Sequence, residues 1–160
     1  MVRPILRLGD EALYRPSAEV RPEELLAMRA LAEDLHDTLL GFRTRHGFGR
    51  AIAAPQIGVH KRMLYVNIDS PIILVNPVLT FPEGQVYQEV EDDCMCFPHL
   101  VVRVKRYATC LLRYRNLDWQ VREVLLQHGL AHLAQHEVDH LDGVLFTMRA
   151  VDDKAFLYRG

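Results

Sequence analysis

The chain has 160 residues, 49% of them apolar and 25% charged, with 19 basic against 21 acidic residues for a net charge of −2. That length fits a single domain over 1–160 with its own core, and mixed, near-neutral charge excludes the basic face of a nucleic-acid binder. No apolar run approaches the roughly 20 residues of a membrane span, and Met1-Val2-Arg3-Pro4 lacks the apolar core of a secretory leader, so a cytoplasmic protein is expected. The three cysteines, Cys94, Cys96 and Cys110, are odd in number and read as reduced thiols rather than a disulfide framework.

Residues 1–21 read as irregular, punctuated by Pro4 and Pro16. From Pro22 to about Phe42, Leu25, Met28, Leu31, Leu35, Leu39 and Phe42 recur every three or four positions. That spacing predicts an amphipathic helix with Pro22 near its start and Gly41 near its end. A small-residue stretch, 47–58, follows. Five β-like runs come next: Met63–Ile68, Ile72–Leu79, Val86–Val90, Leu100–Val104 and Thr109–Tyr114. Turn residues at Asn76-Pro77, Pro82-Glu83-Gly84 and Asn116-Leu117-Asp118 separate them. The short basic cluster of Arg103, Lys105 and Arg106 reads as a solvated strand edge. From about Gln127 to Leu141 the period is helical again, with Gly143 as a stop. Helix, strands, then helix is the outline of an α+β domain.

Gln135-His136-Glu137-Val138-Asp139-His140 lies in that last helix. Residues four apart share a helix face, so His136 and His140 can present imidazoles to one ion. Glu137, beside the first histidine, can reach a water on that ion without binding the ion, the H-E-x-x-H arrangement. Imidazoles suit Fe²⁺, Zn²⁺, Ni²⁺ or Co²⁺. Such an ion lowers the pKa of a bound water from about 16 to about 7 and polarises a carbonyl. A hydrolytic site needs a third ligand, and no suitable His or Glu follows closely. The residues themselves leave Cys94 and Cys96, in Glu91-Asp92-Asp93-Cys94-Met95-Cys96, as alternatives. A third stretch, Gly49-Arg50-Ala51-Ile52-Ala53-Ala54-Pro55-Gln56, offers small residues and the Gln56 amide. Its composition alone favours a tight turn packed on the first helix. His128, His132, His136 and His140 form a stripe of spacing four, in which His132 is expected to face or flank a pocket.

Together GRAIAAPQ (49–56), DDCMC (92–96) and QHEVDH (135–140) resemble the three ordered motifs of peptide deformylases, G-x-G-x-A-A-P-Q, E-G-C-x-S and Q-H-E-x-D-H. The resemblance spans almost the whole chain. It implies antiparallel strands around a central helix that carries the histidines. It implies Cys94, His136 and His140 as ligands of one divalent metal, Fe²⁺ first, with Ni²⁺, Zn²⁺ or Co²⁺ as substitutes. Glu137 would be the acid/base, and Gln56 with the Met95 backbone N–H would stabilise an oxyanion. Gly49, Arg50, Ala51, Val90, His132 and Leu133 would bind substrate. That substrate would be the formyl-methionyl end of a nascent polypeptide, near the ribosome, and formate the product. The chain departs from the pattern at Arg50, at Ala51 for the second glycine, at Asp92-Asp93 for Glu-Gly, at Cys96 for Ser and at His132 for an aliphatic residue. These leave as alternatives a deformylase-like amidohydrolase acting on another acyl amide, a thiol hydrolase using Cys94 or Cys96, and a metal-binding homologue without activity.

Overall fold

The segment after Pro22 forms the longest helix, α1 (Leu25–His46), in a computed structural model that describes residues 1–160. A 3-10 turn, Pro22–Glu24, leads into it, with the Arg21 N–H donating to Glu24 Oε2 at 2.7 Å. The helix runs past Gly41, where the sequence placed its end, and stops at Gly47, whose φ of 76° suits the left-handed cap. A mid-helix glycine costs about 1 kcal/mol. Burying Phe42, 2% exposed, against the core contributes about 1.5–3 kcal/mol and outweighs it. Met28, Leu31, Leu35, Leu39 and Phe42 form the buried face and pack with Ile52, Met63, Tyr65, Val75 and Met95.

Two antiparallel sheets complete the architecture. One has the order β1-β2-β3-β6-β7, from β1 (Ala51–Ala53), β2 (Met63–Asn67), β3 (Pro71–Thr80), β6 (Thr109–Arg115) and β7 (Val121–Gln127). The other has the order β4-β5-β8, from β4 (Tyr87–Asp93), β5 (Leu100–Tyr107) and β8 (Phe156–Tyr158). The second helix, α2 (Gly129–Leu141), packs against strands of both sheets. The fold is therefore α+β with antiparallel strands around the helix that carries His136 and His140. No helix is long and apolar enough to cross a membrane.

Three readings change. Asn76-Pro77 is not a turn but a bulge inside β3, where the register shifts between Val75 and Val78. Asn76 takes φ 50° and its amide grips the Val20 N–H and C=O, both at 2.8 Å. Proline cannot donate to a ladder, so a bulge is where a strand accommodates it. The basic cluster is not uniformly solvated either. Alternation along β5 turns Val102, Val104 and Arg106 inward, and Arg106 is 3% exposed. The strands β1, β7 and β8 carried too little alternation to be read as strands.

Candidate active site

The site is assembled where α2 passes the turn that ends β4. Gln135 anchors the helix by a two-way amide clasp on β5: its Oε1 accepts from Tyr107 N at 2.9 Å and its Nε2 donates to Tyr107 O at 2.8 Å. The next residue, His136, and His140 one turn later point at the residue following β4, Cys94. Cys94 Sγ lies 3.5 Å from His140 Nε2, which lies 3.2 Å from His136 Nε2. The three ligand atoms fall within 4.8 Å of one another and all three residues are buried. A sulfur and two ring nitrogens converging away from water form a donor set suited to one borderline divalent cation. Cys96 lies outside this cluster. The other half of the histidine stripe does not converge: His132 Nε2 meets Gln88 Oε1 at 2.8 Å, and Gln88 Nε2 meets His128 Nδ1 at 3.2 Å.

Asp92 orients the first imidazole. His136 Nδ1 donates to Asp92 Oδ2 at 2.8 Å, which turns Nε2 with its lone pair toward Cys94 and His140. The same carboxylate oxygen accepts from Arg106 Nη2 at 2.8 Å. Arg106 Nη1 donates to Asp139 at 2.8 Å, and Arg149 forks onto Asp139 at 3.1 and 3.0 Å. For the protein groups alone, burial opposes the ionised Asp92, but His136 and Arg106 prevail and hold its carboxyl well below the usual range. Burial likewise opposes a charged His136, yet Asp92 lifts it to about 9. His140 has no such partner, and burial pushes it well down.

Glu137 is 4% exposed, and its Oε2 has no hydrogen-bond partner in the protein. Burial pushes its carboxyl up to about 7. Gln56, 1% exposed, sits in the 3-10 turn Ala54–Ile57 directly after β1. Its Oε1 accepts from Ala53 N at 2.8 Å and its Nε2 donates to Cys96 Sγ at 3.4 Å. The Met95 N–H donates to no protein acceptor. All of these border one cavity of about 680 Å³, which Gly49, Arg50, Ala51, Val90, His132 and Leu133 also line. The expected ligands, acid/base, oxyanion donors and substrate contacts thus lie at this cavity or in the ligand cluster behind its wall, whereas Cys96 and His128 lie at neither.

The sequence reading missed the groups that hold the site in place. Asp92 looked only like a departure from the pattern, and Arg106 like surface charge. The available signal was the rule that a metal-binding imidazole gives its second nitrogen to a carboxylate. Arg43 was also missed. Its Nε and Nη2 donate to Gly49 O at 2.9 Å and Asn67 O at 2.6 Å, pinning the loop before β1 to the end of β2. Asp93 pairs with Arg159 at 2.9 Å, and that guanidinium lies 4.3 Å from the Phe48 ring centre, so the C-terminal residues do dock beside the cavity.

Comparison with known proteins agrees with this geometry. The family model described as polypeptide deformylase matches residues 2–156. A peptide deformylase of Acidobacterium capsulatum is 35% identical over 157 residues, covering 93% of this chain and 86% of the relative. Among solved structures, a Synechococcus elongatus peptide deformylase in complex with actinonin superposes with a TM-score of 0.84 at 25% identity, over 94% of this chain and 80% of that one. A class I type b peptide deformylase of Acinetobacter baumannii with Met-Ala-Ser bound superposes with a TM-score of 0.81 at 29% identity, over 93% and 98%. A match over nearly the whole sequence, joined to a buried thiol and two imidazoles that converge as a metal site requires, means that the chain belongs to the polypeptide deformylase family.

Proposed function

We propose that this chain, as one domain, removes the N-formyl group from N-formyl-methionyl peptides, using water and releasing formate and a free amino terminus. The observation that carries the reading is one cavity bordered at once by Cys94 and His136, with His140 behind them in the same cluster, by the unpartnered Glu137 carboxyl and by Gln56. Cys94, His136 and His140 hold one divalent metal, Fe²⁺ first, with Ni²⁺, Zn²⁺ or Co²⁺ able to substitute. When bound, that ion supplies Lewis acidity, polarising a carbonyl and acidifying water.

The chain's own groups do the rest. Glu137 is buried beside the cluster, where desolvation favours its protonated form, so the carboxyl can both take and return a proton. It accepts a proton from the attacking water and delivers it to the departing amine nitrogen. Gln56 Nε2 and the Met95 N–H donate to the oxygen that becomes negative as the formyl carbon turns tetrahedral. Gly49, Arg50, Ala51, Val90, His132 and Leu133 bind the peptide. The reading places the enzyme in the cytoplasm, on nascent chains near the ribosome.

The test is formate release from formyl-Met-Ala and from longer formyl peptides, by protein purified without oxygen and analysed for metal. Turnover with one metal per chain is expected. One metal per chain with no formate from any formyl peptide refutes it.

A further inference from the structure

Cys96 is the one buried thiol near the cavity that the mechanism above leaves without a task. It is 0% exposed, and its backbone and its sulfur each meet part of the site. Its backbone N–H donates to Cys94 Sγ at 3.5 Å, and its own sulfur accepts from Gln56 Nε2 at 3.4 Å. One residue therefore touches both the metal-ligand sulfur and the amide that faces the reacting carbonyl.

The Gln56 carboxamide needs that second contact. The last torsion of a glutamine has a broad, roughly two-fold profile, so one hydrogen bond leaves the amide plane free to rock. The Ala53 N–H at 2.8 Å fixes Oε1 and so decides which end of the amide is oxygen. The contact to Cys96 uses one of the two Nε2 protons. With both ends held, the second Nε2 proton has one direction left. Donors of this kind accelerate a reaction only when already aimed at the place where charge develops.

We infer that Cys96 is a positioning residue, whose sulfur holds the Gln56 amide in register with the Cys94 metal ligand. The inference rests on the role given to Gln56 above and extends it to a residue outside both the ligand cluster and the cavity lining. Cys96→Ala removes the acceptor together with the side-chain contact to the Cys94 thiol, while the backbone N–H that meets Cys94 remains, so the Gln56→Ala background is what separates the two effects. Cys96→Ser keeps an acceptor of slightly shorter reach.

The test uses the metal-loaded full chain, formyl-Met-Ala and the variants Cys96→Ala, Cys96→Ser, Gln56→Ala and Gln56→Ala/Cys96→Ala, each analysed for metal. Loss of one oxyanion donor costs about 100- to 1,000-fold in kcat, so a donor present but loosely aimed predicts a loss of about tenfold or more in Cys96→Ala with KM little changed. Cys96→Ser recovers most of that loss. In the Gln56→Ala background, removing the Cys96 sulfur changes kcat by less than about twofold, because residues acting through one another are not additive. A readout independent of turnover is the pair of Gln56 side-chain amide resonances, identified by their absence in Gln56→Ala and expected to shift in Cys96→Ala. If Cys96→Ala does not retain one metal per chain, Cys96→Val serves as the acceptor-free variant. Unchanged kcat in the acceptor-free variant, or a loss that persists undiminished without Gln56, overturns the inference. A metal-loaded wild type with no turnover of any formyl peptide overturns it too, together with the reading on which it rests, and is recognised because the Cys96 variants then make no difference.

Discussion

Replacing Asp92 by Asn keeps shape and one hydrogen-bonding oxygen but removes the charge that binds His136 and Arg106 together. The Asp92 side chain is 17% exposed and its partners 6% and 3%, so solvent screens these contacts little. Breaking one partner of a buried ion pair costs about 3–5 kcal/mol. Arg106 keeps Asp139 at 2.8 Å in the variant, which places the expected loss at the lower end, about 3 kcal/mol. For a chain of this size that is a fall in Tm of roughly 6–12 °C for the metal-free protein. The second consequence lies at the metal. An imidazole without its carboxylate partner loses orientation, and such partners are worth about 10- to 100-fold in metal affinity. The assay is thermal unfolding of metal-free protein, with Ni²⁺ or Zn²⁺ affinity measured against a competing chelator. The sign of the acid dependence also follows. The folded carboxyl lies below its unfolded value, so its stabilisation is complete above about pH 4 and is lost as pH falls further. The Asn variant lacks that part of the acid limb. An Asp92→Asn protein that melts with wild type and holds metal as tightly refutes the assignment of Asp92 as the group that orients His136.

Other expectations are simpler. Glu137→Gln retains one metal per chain while kcat falls by about 100- to 10,000-fold, the range for a lost general acid/base; metal analysis beside formate release checks it. Gly143→Ala drives a Cβ into the Tyr14 carbonyl at φ +73°, so it destabilises by about 3 kcal/mol or more in a denaturant melt. Arg159→Ala removes a half-exposed ion pair with Asp93, a hydrogen bond to Pro98 O and the contact with the Phe48 ring, and it destabilises by about 1–2 kcal/mol in the same melt. Burial pushes the Cys110 thiol up to about 11, so in folded protein it resists iodoacetamide at pH 8, as intact-mass measurement reads out.

Much of the molecule was legible where a single physical period dominated. The three- and four-residue recurrence from Leu25 to Phe42 buries one helix face, β5 and β6 alternate inward and outward, and the apolar runs of β2 and β3 bury neighbouring residues on both faces. His136 and His140 were legible because helix geometry alone puts positions four apart together. Strands that owe their structure to a neighbour were not legible. β1 is three buried residues paired on β2, β7 is exposed along most of its length, and β8 exists only through its pairing with β5. Long-range electrostatics were equally hidden. Nothing local distinguishes Arg106, buried between Asp92 and Asp139, from Arg103 and Lys105 beside it. The choice of Cys94 over Cys96 was illegible from the residues themselves. It depends on where β4 ends, at Asp93, and on the turn that sends one sulfur to the imidazoles and the next to Gln56.

The proposed chemistry depends on one cation held by a sulfur and two imidazoles from distant parts of the chain. Cobalt(II) substitution tests it most directly, because a thiolate ligand adds a sulfur-to-metal charge-transfer band to the near-ultraviolet spectrum. One Co²⁺ per chain is expected with that band present, the band lost in Cys94→Ser, and the band kept in Cys96→Ser. A Co²⁺ spectrum that is the same in wild type and Cys94→Ser would contradict it.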